Sequence, residues 1–239
     1  MRRCAGCWLL LWSLLGPCAS AVTLIGAEVP PFVTQQGGLA VAILREAARR
    51  AGTDDHVTVY PFIRAMVLAT QPGGPYLLVP PGRTPARESR YQWVAPLMDE
   101  AFVLVGNRKV NPNPPSRSAM TGQLIGVMRN SVGQELASHI PQSRLSVVTY
   151  ETTNAAMLAN GHIGAWAVAW NTALQAQREA GLPVEDLLKG EVLMRSTLYL
   201  AASLDMSASE VQRWRSILDN MRKDGTIARL EHDYRYVLP

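Results

Sequence analysis

Fifteen residues, Arg83 to Leu97, read RTPARESRYQWVAPL and place three arginines, one glutamate and a tryptophan side by side. A guanidinium is a planar fork of N–H donors that matches a carboxylate with two parallel hydrogen bonds. Arginines at this density are therefore candidates for holding a carboxylate-bearing ligand. What precedes them bears on that reading. Tyr76-Leu77-Leu78-Val79 has the composition of a short buried strand, and Pro80-Pro81-Gly82 stops it and turns the chain. Arg83, Thr84 and Arg87 thus fall at or just past a strand end, where open α/β sheets bind ligands. A solvated basic loop is the competing reading of the same charges.

The elements that must carry this stretch can be followed from the N-terminus. Arg2 and Arg3 precede an apolar run from Cys7 to Leu15, Gly16-Pro17 breaks it, and Ala19-Ser20-Ala21 supplies a small-residue cleavage site. This is the plan of a secretory signal peptide over residues 1–21. A lipoprotein signal ending at Cys18 is second, because Pro17 fits poorly before the modified cysteine. Cys4, Cys7 and Cys18 all lie in the leader, so the mature chain holds no cysteine and no disulfide. After the leader, Thr23 to Gly26 is a strand ended by Pro30-Pro31, with Phe32 either a core anchor or a ring lining a pocket. Leu39 to Ala51 reads as a helix with Leu39, Ala42, Ile43, Ala47 and Ala51 on one face and Gly52 as its cap. His56 to Tyr60 alternates like a strand, and Pro61-Phe62-Ile63-Arg64-Ala65-Met66 opens a second helix. Strand, helix, strand, helix, strand implies a mostly parallel sheet.

The series PPF, GGLAVAILREAARRAG, YPFIRAM and RTPARESRYQWVAPL resembles the type II periplasmic solute-binding proteins, the family that includes polar amino-acid receptors of ABC importers. The match extends over the mature chain, with its distinctive motifs before Leu97. It implies an α/β fold of two lobes with mixed sheets and two hinge crossovers. Lobe 1 would comprise residues 22–105 plus 196–239, and lobe 2 residues 106–195, with the ligand between them. It implies that the arginine of the T-P-x-R element, Arg87, grips the ligand carboxylate. Arg83 and Arg64 become second contacts or partners of Glu88, and Trp93 lines the cleft or packs beneath the loop.

The second half of the chain follows the same plan with departures. Ala101 to Val105 is a strand, Asn107 to Ser116 a Pro/Asn-rich linker, and Gln123-Leu-Ile-Gly-Val-Met a new strand. Where the family carries G-[TS]-[TS], this chain has Asn130-Ser131-Val132; Ser131 either holds the ligand or caps a helix. Where the family places an acid for the ligand's ammonium, this chain has Ala169-Trp170. A buried ammonium without a partner is costly. The ligand therefore lacks the amine, or Glu28, Asp99 or Glu100 supplies the charge. Trp170 and Trp166 stack on a ligand or pack in the core. Ser207-x-x-Glu210 starts a C-terminal helix with Val211, Trp214, Leu218 and Met221 on one face.

Composition narrows the function. Taking Arg2 and Arg3 from the 23 basic residues leaves 21 against 19 acidic, a net charge of +2, too near neutral for a nucleic-acid binder. No His, Cys or acidic cluster has metal-ligand spacing, and no cofactor motif is present. The expected partners are a small solute and, by resemblance, an inner-membrane ABC permease, with the chain monomeric and periplasmic. A sensory protein of the same fold, signalling to a membrane partner, is the alternative. An enzyme such as a dehydratase is the third class, disfavoured because no G-x-S-x-G, H-E-x-x-H or surviving cysteine nucleophile is found.

Overall fold

The structure, a computed structural model, describes residues 22–239; the expected leader with its three cysteines lies outside the described residues. Strands β1 (Thr23–Ala27), β2 (Val57–Tyr60) and β3 (Tyr76–Val79) run parallel with β1 in the middle. Helices α1 (Leu39–Ala51) and α2 (Phe62–Leu68) make the crossovers. In α1 Leu39, Ile43, Ala47 and Ala51 of the expected face are buried, Ala42 at its margin is half-buried, and Gly52 closes the helix at φ 69°.

The chain then extends into β4 (Gln92–Asn107), which pairs antiparallel with β8 (Leu187–Ala202) from Gln92↔Ala202 to Asn107↔Leu187. Each strand has 16 residues. The sequence shows only part of this ribbon, Ala101 to Val105 and Leu198 to Ser203. Pro96 sits inside β4 where the register shifts, a place a strand tolerates proline. Most of β8 is half-exposed, so no period of two develops along it. Beyond the ribbon, β5 (Leu124–Met128), β6 (Arg144–Val148) and β7 (Ala165–Ala169) run parallel around β5. They alternate with α3 (Val132–Ser138), α4 (Glu151–Ala159) and α5 (Trp170–Glu179). One eight-stranded sheet results, in the order β2-β1-β3-β8-β4-β7-β5-β6.

The register decides where a ligand can sit. β3 runs antiparallel to β8 through Leu77↔Ala202 and Leu78↔Ala201, so its C-terminal end points toward the middle of the ribbon. β7 runs antiparallel to β4 through Val105↔Trp166 and Phe102↔Ala169, so its C-terminal end points to the same place from the other side. Both parallel strand sets thus aim their C-terminal ends at the stretch where Glu100 opposes Ser196. The buried side chains divide there too. Two clusters, containing Leu24, Ile25 and Trp214, draw on residues 22–98 and 198–236. Two others, containing Trp166 and Ile125, draw on residues 101–193.

Helices α6 (Ala208–Lys223) and α7 (Thr226–Asp233) complete the first half. Ser207 Oγ accepts the Glu210 N–H at 3.2 Å, the expected cap, and Val211, Trp214, Leu218 and Met221 are buried. The same elements cover the edge of β4 that β7 does not reach, which would otherwise offer unpaired backbone groups. Arg215 donates to the carbonyls of Val94 (2.8 Å) and Trp93 (3.2 Å), and Arg222 to that of Pro96. The Tyr236 hydroxyl donates to the Asp99 carbonyl at 2.7 Å and accepts the Asp99 N–H at 3.1 Å. Burial pushes the Tyr236 phenol up to about 12, so it remains a donor at neutral pH. Tyr236→Phe should lower stability by about 1 kcal/mol, the net worth of such bonds. Urea unfolding checks this; an unchanged midpoint would show that water replaces the hydroxyl fully.

Candidate functional site

The first side of the site is built on the ends of β2 and β3. Pro85, whose ring fixes φ, starts a 3-10 helix over Pro85–Arg90 with Thr84 preceding it. The Thr84 carbonyl accepts the Arg87 N–H at 3.0 Å, and its side chain is exposed. Within this turn the arginines take different tasks. Arg83 donates from Nε (2.9 Å) and Nη2 to the two carboxylate oxygens of Glu88, which it holds below the usual carboxylate range. Its guanidinium also lies 5.6 Å from the Trp93 ring and 5.8 Å from that of Tyr199. Trp93 is half-buried, donates from Nε1 to the Glu88 carbonyl at 3.3 Å, and meets Tyr91 and Tyr199 edge-on. Arg83, Glu88 and the three aromatic rings thus form a block that stiffens the loop.

Arg87 is placed differently. Its Nη1 donates to the Gly82 carbonyl at 3.1 Å and its guanidinium carbon lies 5.5 Å from the Phe62 ring at the start of α2. It is half-buried, and no carboxylate pairs with it among the described residues. The loop that holds it rests on the ribbon: Gly82 bridges Leu198, and a Cβ on Gly82 would come 3.2 Å from Ser196 Oγ. Arg64 lies 5.1 Å from the Tyr60 ring, exposed and also without an acidic partner among the described residues.

The second side is built on the ends of β5 and β7. Ser131 caps α3, its Oγ accepting the Gln134 N–H at 3.1 Å, and Gln134 Oε1 accepts the Asn130 N–H at 2.7 Å in return. Asn130 reaches this geometry at φ 57°, a conformation asparagine tolerates better than most side chains. Gly133 is where a Cβ would stand 2.1 Å from the Ala167 carbonyl, so only glycine lets α3 pack this closely on β7. Trp170 opens α5, but its ring packs against the core cluster that contains Trp166 and carries the Lys189 ammonium 5.5 Å from its centroid.

Three acids were open as partners for a ligand ammonium. Glu100 is 3% exposed, and its oxygens accept the N–H groups of Ala101 (2.8 Å) and Asn171 (3.3 Å) at the start of α5. Burial raises its pKa against these bonds, which tie the carboxyl to the start of α5. Asp99 accepts the Thr197 hydroxyl at 2.7 Å. Glu28, one residue past β1, is half-buried, and its carboxylate has no hydrogen-bond or ion-pair partner among the described residues.

The structure therefore gathers Arg83, Thr84, Arg87 and Trp93 beside Phe62 and Tyr199, with Arg64 in the first turn of α2. Ser131 and Trp170 stand on the facing side; no hydrogen bond or ion pair among the described residues joins residues 83–90 to residues 124–186. Phe32 is 3% exposed and packs in the core, edge-on to Tyr236 at 6.3 Å, which is the core-anchor alternative. Two small cavities, of about 50 and 20 Å³, are lined by neither Arg64, Arg83, Arg87 nor Ser131. Phe62 lay inside the quoted PFIRA motif without a role. Tyr199 had no local signal, since it reaches Trp93 only through the pairing of β8 with β4.

No protein-family model and no curated protein matches the sequence. Solved structures do match, several of them described as amino-acid-binding proteins. A mutant form of ArgBP from T. maritima has a TM-score of 0.67 at 19% identity, covering 91% of this chain and 96% of that one. The GluR0 ligand-binding core in complex with L-glutamate has a TM-score of 0.68 at 15% identity, covering 92% and 99%. The substrate-binding protein of an amino acid ABC transporter has a TM-score of 0.63 at 16% identity, covering 90% and 99%. At these identities the likeness carries the fold: two parallel-stranded halves on one antiparallel ribbon, the two-lobed type II fold of periplasmic solute-binding proteins.

Proposed function

We propose that the chain captures a small carboxylate-bearing solute between two lobes, residues 22–105 plus 196–239 and residues 106–195, without turning it over. The observation that carries this is Arg87. Its guanidinium is held by Gly82 and Phe62 beside the middle of the ribbon and has no acidic partner among the described residues. A carboxylate arriving there meets a pre-oriented fork, and each charge-assisted bond is worth about 1.5–3 kcal/mol. Arg64 adds a second cation on the same side. Ser131 can donate its hydroxyl proton from the facing side, because its oxygen, not its proton, is used in the cap. Closure then proceeds by bending of β4 and β8, the two strands that cross between the lobes. In this reading the protein works in the periplasm as a monomer and delivers its solute to an inner-membrane ABC permease. The solved structures of amino-acid-binding proteins it resembles support a solute-binding role.

The charge at the strand ends bears on the solute. Glu88 is paired with Arg83, Glu100 is buried and Asp99 accepts the Thr197 hydroxyl, whereas half-buried Glu28 has no hydrogen-bond or ion-pair partner among the described residues and is the acid we assign to an ammonium. With an amine-bearing carboxylate, Glu28→Gln should weaken binding about 10- to 100-fold, the equivalent of one charged hydrogen bond. Amino-free carboxylates should bind the variant and the wild type alike. Calorimetric titration with matched pairs of compounds measures both. Equal affinity of the variant for the amine-bearing compound would remove Glu28 from the site.

A further inference from the structure

A second group of unpaired cations lies where the C-terminal tail crosses α5. Asn171, Gln175 and Arg178, at i, i+4 and i+7, share one face of α5 and line the 20 Å³ crevice with Arg235, Phe32 and Tyr236. Neither guanidinium has a hydrogen-bond or ion-pair partner among the described residues. No acid lines the crevice, and no acid pairs with either guanidinium among the described residues. Glu179 accepts from Gln175 at 2.9 Å, Asp233 pairs with Arg229 and His232, and the charge acting on Glu231 is that of Arg222. Two like charges therefore share a crevice, and burial together with the Arg235 charge lowers the Arg178 pKa.

The backbone supplies a separate observation. α7 ends in a full Schellman arrangement: the Tyr236 N–H donates to the Glu231 carbonyl (2.8 Å) and the Arg235 N–H to that of His232 (3.0 Å). The left-handed residue of this arrangement is usually glycine, but here it is Arg235 at φ 54°. The side chain at this position is one of the two cations.

We propose that this crevice binds a small inorganic oxyanion, of phosphate or sulfate size, between Arg178 and Arg235. The volume admits about one oxygen, with the rest of the ion at the mouth. The bound ion joins the tail, which is bonded to β4 through Tyr236, to α5, and so fastens the seam beside the ribbon. This goes beyond solute capture and uses none of Arg64, Arg83, Arg87 or Ser131.

The test is thermal unfolding against sodium phosphate, then sulfate, at ionic strength held constant with chloride. The wild type should rise by roughly 3–6 °C at ten times the dissociation constant. Arg178→Gln and Arg235→Gly should each abolish the rise, and Arg87→Ala should keep it. Arg235→Gly places the favoured residue at its backbone position, so a lost response is not a lost fold. The proposal is overturned by no rise in the wild type with either anion, by the same rise in both crevice variants, or by a rise lost only in Arg87→Ala.

Discussion

Arg87→Ala should abolish the stabilisation that a carboxylate ligand confers while leaving the unliganded protein almost as stable as the wild type. A ligand at 100 times its dissociation constant adds about 2.7 kcal/mol, a rise of roughly 5–10 °C for a chain this size. Losing the two charge-assisted bonds of one guanidinium removes more than that. The fold itself uses Arg87 for one hydrogen bond to the Gly82 carbonyl and a stacking contact with Phe62 on a half-buried side chain. The expected signature is thus an unfolding temperature lowered by only about 2–4 °C without ligand and a flat response to the panel of amino acids, amino-free carboxylates and short peptides. Arg83→Ala should give a different signature, because Arg83 is already paired with Glu88: lower stability of the loop and a reduced response. An equal ligand response in Arg87→Ala and wild type would overturn the assignment of the carboxylate to Arg87.

Trp166→Ala carries the largest expected effect on folding. Trp166 is fully buried in the core formed by residues 101–192, and its Nε1 donates to Glu151 Oε2 at 2.9 Å. Removing the ring should cost about 3–5 kcal/mol, a large part of the 5–15 kcal/mol typical of a folded domain. The unfolding temperature should fall by roughly 6–20 °C. Glu151 makes the deficit depend on pH. Burial raises its pKa, and Asn154 (2.8 Å) and Trp166 are the side chains that donate to it. A raised carboxyl favours the folded state below its unfolded pKa and loses that contribution as pH rises through the folded one. Without the indole N–H the ionised form is harder to hold, so the deficit should be wider at neutral pH than below the ordinary carboxyl value of 4.5. A deficit independent of pH would show that Glu151 finds another donor. Trp166→Phe, which keeps most of the volume, separates the cavity from the lost hydrogen bond.

The elements that proved legible in the sequence are those whose pattern is local. The α1 stripe from Leu39 to Ala51, its Gly52 cap, the Ser207 cap and the Val211–Met221 face all follow from side chains within a few turns of one another. The prolines after β1 and β3 marked the strand ends where the motif residues fall, and the arginine fork named a ligand chemistry. The ribbon of β4 and β8 was less legible. Its 16-residue strands owe their length to pairing between segments about 100 residues apart, and the half-exposed stretches carry no hydrophobic period. The division of labour among the arginines was not readable either. Arg83 and Arg87 are the same residue type four positions apart. One is paired and stacked because Glu88, Trp93 and Tyr199 converge on it; the other is left open because Phe62 arrives from α2 with no charge.

By itself, the sequence determined the alternation of strands and helices, the places where strands stop, and the presence of guanidiniums at one of those stops, because each depends on neighbouring residues. Only the tertiary structure decided which charges are already spent. Glu100 is tied to the start of α5, Glu88 to Arg83 and the Ser131 oxygen to its own helix, while Arg87, Glu28, Arg178 and Arg235 have no partner of opposite charge among the described residues. Pairing of a charge is a property of distance in space, and segments as far apart as α5 and the C-terminal tail meet only once the sheet has set its register.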